Sequence, residues 1–120
     1  AYNASFDSMK AAIQQLKNTA GNKKIAVLGD MGELGADEKA LHYSVGEHFA
    51  GKGIDMLFCA GELSVAIADA AKSVSPETEV YHFVSKEALI EELKGRIREG
   101  DTILVKASHF MDFPKIVKEL

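Results

Sequence analysis

The chain has 120 residues, 47% hydrophobic and 27% charged, which suits one globular domain large enough to bury a core without disulfides or a structural metal. Its 14 Lys and Arg against 18 Asp and Glu give a formal net charge of −4, which argues against general nucleic-acid binding. No apolar run reaches the about 20 residues of a membrane-spanning helix. The single cysteine, Cys59, excludes an internal disulfide and favours a reducing compartment.

Short apolar runs and longer amphipathic stretches alternate along the chain. The runs at 24–29, 55–61, 79–84 and 102–106 are apolar on both faces and predict buried parallel strands. Apolar residues at i, i+3, i+4 and i+7 spacing predict helices over 9–20, 34–49, 63–74, 89–97 and 116–120. Gly21 is suited to end the first helix, Pro76 follows the third, and Ser85 and Asp112 are suited to cap the last two.

The order α-β-α-β-α-β-α-β-α predicts an α/β fold. We expect one three-layer, Rossmann-like domain over 1–120, with a mainly parallel sheet of about four strands and helices on both faces. Tyr81 and His82 place the third strand at an edge, and analogy with nucleotide-binding sheets suggests the spatial order 3-2-1-4. A helix before the first strand, and a chain that starts at Ala1 rather than Met, predict a piece of a longer protein.

Ligands of open α/β sheets bind beyond the carboxyl ends of the strands. The loop after the first strand has G-x-x-G-x-x-G spacing over 29–35, which is not the dinucleotide fingerprint. Asp30 and Glu33 in this loop would repel a pyrophosphate and suit a cation, either a substrate ammonium or a metal. The alternative is a solvated turn whose acids favour the start of the next helix.

The loop after the fourth strand carries groups suited to an anion. Lys106 provides a charge, Ser108 a hydroxyl donor and His109 a titratable donor. The alternative is that Lys106 extends its stem along the surface, Ser108 caps a turn, and Phe110 and Met111 close the core.

Other candidates carry weaker signals. Tyr2 and Asn3 could stack on and hydrogen-bond a base or sugar, or else form a helix cap with a buried ring. His42 lies alone on a helix and favours a structural role, and His82 has no partner signal. The sequence has no zinc motif and no G-x-x-x-x-G-K-[ST] loop, so this chain has no phosphate loop of its own for ATP.

Four segments in order resemble the Mur ligases. Residues 1–9 resemble the family motif D-[AS]-Y-N-A-N-P-D-S-M, and residues 27–35 resemble the motif V-L-G-D-M-x-E-L-G. Residues 41–46 resemble the motif L-H-x-x-V-G, and residues 104–111 resemble the motif V-K-G-S-R-x-M. The resemblance covers essentially the whole chain, which is thereby identified as the C-terminal, acceptor-binding domain of a member of this family. The leading Asp of the first motif would precede Ala1.

The resemblance implies an activity for a longer enzyme. In that family an N-terminal domain holds the UDP-sugar peptide, and a central domain binds ATP and Mg²⁺. The implied reaction activates the carboxylate of UDP-N-acetylmuramoyl-tripeptide as an acyl phosphate. The amine of D-alanyl-D-alanine then attacks, giving an amide, ADP and phosphate in cytoplasmic peptidoglycan precursor synthesis. This chain alone is expected to be inactive and to bind neither cofactor.

The resemblance also implies roles for the loop residues. Tyr2 and Asn3 match a motif that meets the nucleotide, while Lys106 and Ser108 match a loop expected to hold the acceptor carboxylate. Asp30 and Glu33 would orient the attacking ammonium, a role that we infer from their charge alone.

The sequence also departs from the family pattern. Ser5, Phe6, Ala107 and His109 stand where the family has Asn, Pro, Gly and Arg. A neutral imidazole at His109 would weaken an anion contact and make it sensitive to pH.

The residues alone, without the resemblance, leave two alternative functions open. An independent small-molecule-binding or receiver-like regulatory module would use Asp30 and Lys106, although the acidic pair of a receiver is missing. Phosphorylation of Asp30 would distinguish that module. A free-standing nucleotide-binding domain is disfavoured by the acidic glycine loop.

Overall fold

The four predicted strands form one parallel sheet in the computed structural model, which describes residues 6–32 and 34–106. The strands are β1 (Lys24–Gly29), β2 (Met56–Ala60), β3 (Glu79–Phe83) and β4 (Thr102–Lys106). Their spatial order is β3-β2-β1-β4, with every neighbouring pair parallel. Both the predicted order and the edge position of β3 are confirmed.

Four α-helices lie between and before the strands in the described part of the chain. They are α1 (Phe6–Lys17), α2 (Glu38–Glu47), α3 (Ser64–Val74) and α4 (Lys86–Arg96), and a 3₁₀ turn at Gly35–Asp37 leads into α2. None of these helices has the length and apolar character needed to cross a membrane. The fifth predicted helix, over 116–120, and its predicted cap Asp112 fall outside the described residues.

Several helix boundaries differ from the sequence prediction, most of all the end of α1 and the start of α2. The first helix ends at Lys17 rather than Ala20, because the amide of Thr19 turns back to the Leu16 carbonyl and its hydroxyl donates to the Gln15 carbonyl. Leu34 precedes the 3₁₀ turn instead of starting α2. These differences shorten the helices and leave their buried faces in place.

Helices cover both faces of the sheet, as predicted. The first three helices pack on one face, where buried side chains come from alternate strand positions: Ala26, Leu28, Leu57 and Cys59. Helix α4 packs on the opposite face, where the buried strand residues are Ile25, Val27, Met56, Phe58 and Ala60. A period of two along each strand explains this division of one apolar run between two cores.

The chain reverses its direction across the sheet between β1 and β4. From β1 it proceeds outward to β2 and β3 with α2 and α3 on one face, and then returns through α4 to β4 beside β1. Such a reversal opens a crevice at the carboxyl ends of the two strands, where ligands of open α/β sheets bind. The fold therefore assigns the candidate site to the ends of β1 and β4.

Candidate functional site

Two candidate loops leave the sheet from adjacent strands. The acidic loop begins with Asp30 after β1, and the basic loop begins at Lys106, where β4 ends. In the pairing of β1 with β4, Leu28 lies opposite Lys106. Asp30 follows β1 directly, and Lys106 is the last residue of β4 and is half-buried. The fold thus brings the start of an acidic loop and the start of a basic loop to the same edge of the sheet.

Asp30 is buried and holds the start of helix α3. Its Oδ1 accepts the backbone N–H of Ser64 at 2.7 Å, and its Oδ2 accepts that of Leu63 at 3.2 Å. Leu63 is the residue before the helix and has no side-chain acceptor of its own. A carboxylate at this position satisfies two free amides and complements the positive end of the helix.

Gly61 allows this carboxylate to approach. The residue has φ +116°, and a Cβ added to it would lie 2.4 Å from Oδ1 of Asp30. Its carbonyl accepts Ser64 Oγ at 3.1 Å and His82 Nε2 at 2.7 Å, and its amide donates to the Phe83 carbonyl at 3.1 Å. Hydrogen bonds therefore join the strand ends of β1, β2 and β3 side by side.

His42 holds the acidic loop from the other side. This side chain is completely buried on α2, with Nε2 2.9 Å from the backbone nitrogen of Met31 and Nδ1 2.6 Å from the Glu38 carbonyl oxygen. An amide can only donate and a carbonyl can only accept, so Nδ1 carries the proton and Nε2 accepts. The structural role expected of His42 fits these contacts, but no sequence pattern indicated its partner in the loop.

Five of the site residues predicted from the sequence fall outside the described part of the chain. Tyr2, Asn3, Glu33, Ser108 and His109 lie outside the described residues, and their predicted roles stay predictions. Within residues 6–32 and 34–106, no group of three or more His, Cys, Asp or Glu could hold a metal ion.

Cys59 has the apolar environment expected from its place in a strand. It is fully buried, and this burial, with the nearby charge of Asp30, raises the pKa of its thiol far above the usual range. A neutral, buried thiol is a poor nucleophile. We therefore assign Cys59 to the core.

Comparison with known proteins connects this arrangement to a family. The profile of the family described as "Mur ligase, glutamate ligase domain" matches residues 1–109. The chain belongs to the Mur ligase family. Membership favours the ligase-domain prediction over the receiver-like module, and it agrees with the resemblance of the four sequence segments.

Similar curated proteins share one name. The chain is 42% identical over 121 residues to the UDP-N-acetylmuramoyl-tripeptide–D-alanyl-D-alanine ligase of Bacillus subtilis, covering 100% of this chain and 26% of that protein. The ligase of that name from Escherichia coli is 40% identical over 121 residues, covering 99% of this chain and 25% of that protein. The chain spans about a quarter of the length of these relatives.

Solved structures of the family have the same fold. MurF from Acinetobacter baumannii superposes with a TM-score of 0.79 at 27% identity, covering 100% of this chain and 26% of that one. The MurF ligase from Thermotoga maritima in complex with ADP gives a TM-score of 0.76 at 26% identity, covering 98% of this chain and 26% of that one. The predicted Rossmann-like class is confirmed.

Proposed function

We propose that residues 1–120 act as the C-terminal, acceptor-binding domain of an ATP-dependent ligase. The ligase joins D-alanyl-D-alanine to UDP-N-acetylmuramoyl-tripeptide in cytoplasmic peptidoglycan precursor synthesis. The observation that carries this proposal is the 42% identity, over the whole chain, to a relative named for that reaction. The adjacent carboxyl ends of β1 and β4, which carry Asp30 and Lys106, support the acceptor-binding part of the proposal.

We do not assign the nucleotide chemistry to this domain. The sequence has no phosphate loop, and the described residues offer no cluster of metal ligands. ATP, with Mg²⁺, would activate the tripeptide carboxylate on a central domain of the longer protein, and one structural neighbour is an ADP complex. Tyr2 and Asn3 are our candidates for reaching that nucleotide from this chain. Without the other domains, this chain is expected to be inactive.

The two loops complement the charges of a dipeptide. D-alanyl-D-alanine has a carboxylate at one end and an ammonium at the other, and Lys106 ends the strand next to the one that Asp30 follows. We assign the carboxylate to Lys106 with Ser108 and His109, and the ammonium to the loop of Asp30 and Glu33. Asp30 accepts two backbone amides, and a carboxylate has about four acceptor positions, so capacity remains for an ammonium.

Positioning is the contribution that such a domain makes to catalysis. Two reactants held in the correct geometry react as if they were one molecule, and well-oriented intramolecular reactions reach effective molarities of about 10⁵–10⁸ M. By fixing both ends of the dipeptide, the loops would aim its amine at the activated carboxyl carbon. Closure of this domain over the others would exclude water from that carbon.

The test of this assignment is Lys106→Met in the full-length ligase. The variant keeps an apolar stem and removes the charge, so the KM for D-alanyl-D-alanine should rise about tenfold or more, as expected for a lost charge-assisted hydrogen bond. Lys94→Met, at an exposed position on α4, should leave this KM unchanged.

Unchanged dipeptide kinetics in Lys106→Met would remove this residue from the acceptor site. If the unaltered full-length protein forms no amide from the dipeptide and UDP-N-acetylmuramoyl-tripeptide with ATP, the proposed function itself is wrong.

A further inference from the structure

We propose that His42 is a positioning residue for acceptor binding, acting through the backbone of Met31. This inference rests on the proposed function, because it assigns the loop after β1 to the acceptor. His42 itself is buried on α2 and does not touch substrate. Its effect passes through a single hydrogen bond from the Met31 amide to Nε2, at 2.9 Å.

The imidazole is fixed on both sides. Its Nδ1 donates to the Glu38 carbonyl, one helical turn earlier, and this bond sets the tautomer that leaves Nε2 as an acceptor. The ring is therefore held in one orientation by its own helix. A rigid acceptor on α2 fixes the position of the Met31 peptide more closely than a mobile surface group could.

Two consecutive residues anchor the loop in two directions. The side chain of Asp30 bonds to the start of α3, and the amide of Met31 bonds to α2. The side chain of Met31 is 2% exposed and belongs to the core. The loop therefore leaves β1 with its direction already set, two residues before Glu33 in the sequence.

An anchored loop binds its ligand with less loss of freedom. Ordering a loop during binding weakens affinity, whereas a loop ordered during folding avoids that loss. Loss of the Met31 bond would leave a buried amide unsatisfied and allow other loop conformations. The expected signature is weaker binding of the dipeptide, with little effect on substrates held by other domains.

Two amide variants separate the bond to Met31 from the rest of the side chain. In His42→Gln the side-chain amide reaches the position of Nε2, so its oxygen can accept the Met31 N–H. In His42→Asn the shorter side chain reaches only the position of Nδ1, and Met31 loses its acceptor. Both replacements are neutral and polar, and His42 is not one of the residues that we assign to contact with substrate.

Steady-state kinetics of the full-length ligase provide the test, with D-alanyl-D-alanine varied at saturating ATP and UDP-N-acetylmuramoyl-tripeptide. We expect His42→Asn to raise the dipeptide KM about tenfold, and His42→Gln to stay within about threefold of the unaltered enzyme. The KM values for ATP and the tripeptide should change less than about twofold in both. This split between substrates is not expected of a residue that only stabilises the fold.

Several results would overturn the inference. One is an unchanged dipeptide KM in His42→Asn, and another is an equal loss for all three substrates. If His42→Asn does not fold, a tenfold rise of the dipeptide KM in His42→Gln would count against the bond.

Nitrogen NMR of the ¹⁵N-histidine-labelled full-length enzyme tests the tautomer of His42, whose signals are assigned by their loss in His42→Gln. The spectrum must show the proton on Nδ1, and a proton on Nε2 would refute the geometry. Failure of the unaltered enzyme to form the amide would instead refute the proposed function, and this inference with it.

Discussion

Asp30 supplies a helix cap from a distant part of the sequence. Helix α3 starts after the apolar Leu63, which has no side-chain acceptor for the first free amides. The carboxylate of Asp30, 33 and 34 residues earlier in the chain, accepts the amides of Leu63 and Ser64. One side chain thereby joins the loop after β1 to the start of α3, and any role with an ammonium would be added to this structural one.

Replacement of Asp30 tests this capping role. In Asp30→Asn one oxygen remains, but the new NH₂ group faces a backbone N–H, so we expect the free energy of unfolding to fall by about 1–2 kcal/mol. Urea unfolding followed by circular dichroism measures this change. Asp69→Asn, at an exposed position within α3, is the matched control and should change stability by less than about 0.5 kcal/mol. Equal effects of the two variants would contradict the cap.

The limits of sequence-based prediction are clear at this scale. The cap of α4 was predictable because Ser85 lies next to its helix, and its Oγ does accept the Ala88 amide at 3.1 Å. The partners of Asp30 and His42 were not, because hydrogen bonds between separate elements leave no local pattern. The acidic loop was identified as a candidate from its composition alone, which could not show that Asp30 is buried.

At the scale of elements, the close approach of α2 and α3 sets the position of both loop anchors. A Cβ added to Gly46 on α2 would lie 2.2 Å from the Ile67 carbonyl oxygen and 2.7 Å from the Ala70 Cβ on α3. Only glycine therefore allows the two helices to approach so closely. Since His42 lies on α2 and Asp30 binds α3, a change in this helix spacing would move the two anchors apart.

Alanine replacements on two helices separate this packing from helix propensity. Gly46→Ala should destabilise the chain by about 1–3 kcal/mol, because the added methyl group forces α2 away from α3. Gly95→Ala on α4 should stabilise it by up to about 1 kcal/mol, because a Cβ there meets no atom within 4 Å. Thermal unfolding of both variants measures the two signs. A stabilised Gly46→Ala would show that the helices adjust without strain.

At the scale of the whole molecule, the alternation of apolar runs and amphipathic stretches predicts the sheet and its two covered faces. Runs such as 24–29 are apolar on both faces because side chains of α1 and α2 fill the core on one face of the sheet. Side chains of α4 fill the core on the opposite face. The strand order needed an analogy, since pairing partners are not encoded locally. Only the polar Tyr81 and His82 indicated an edge, and among the described residues β3 indeed has a single strand neighbour, β2.

Cys59 provides a probe of whether this whole assembly opens as one unit. It lies in β2, paired with Leu28 on one side and His82 on the other, and is 0% exposed. Its burial raises the thiol pKa, so both access and ionisation oppose reaction with a disulfide reagent such as DTNB. In the native 120-residue chain we expect labelling at least about 10³-fold slower than in the urea-unfolded chain, because unfolding free energies are about 5–15 kcal/mol.

The dependence of labelling on urea completes this prediction. If the thiol becomes reactive only when β2 leaves the centre of the sheet, the labelling rate should rise with urea in parallel with the unfolding equilibrium measured by circular dichroism. Gly46→Ala should then accelerate labelling by the factor that its loss of stability predicts, about fivefold or more for each 1 kcal/mol. Labelling that is fast in the native chain, or independent of urea, would show that the sheet opens locally around β2 without global unfolding.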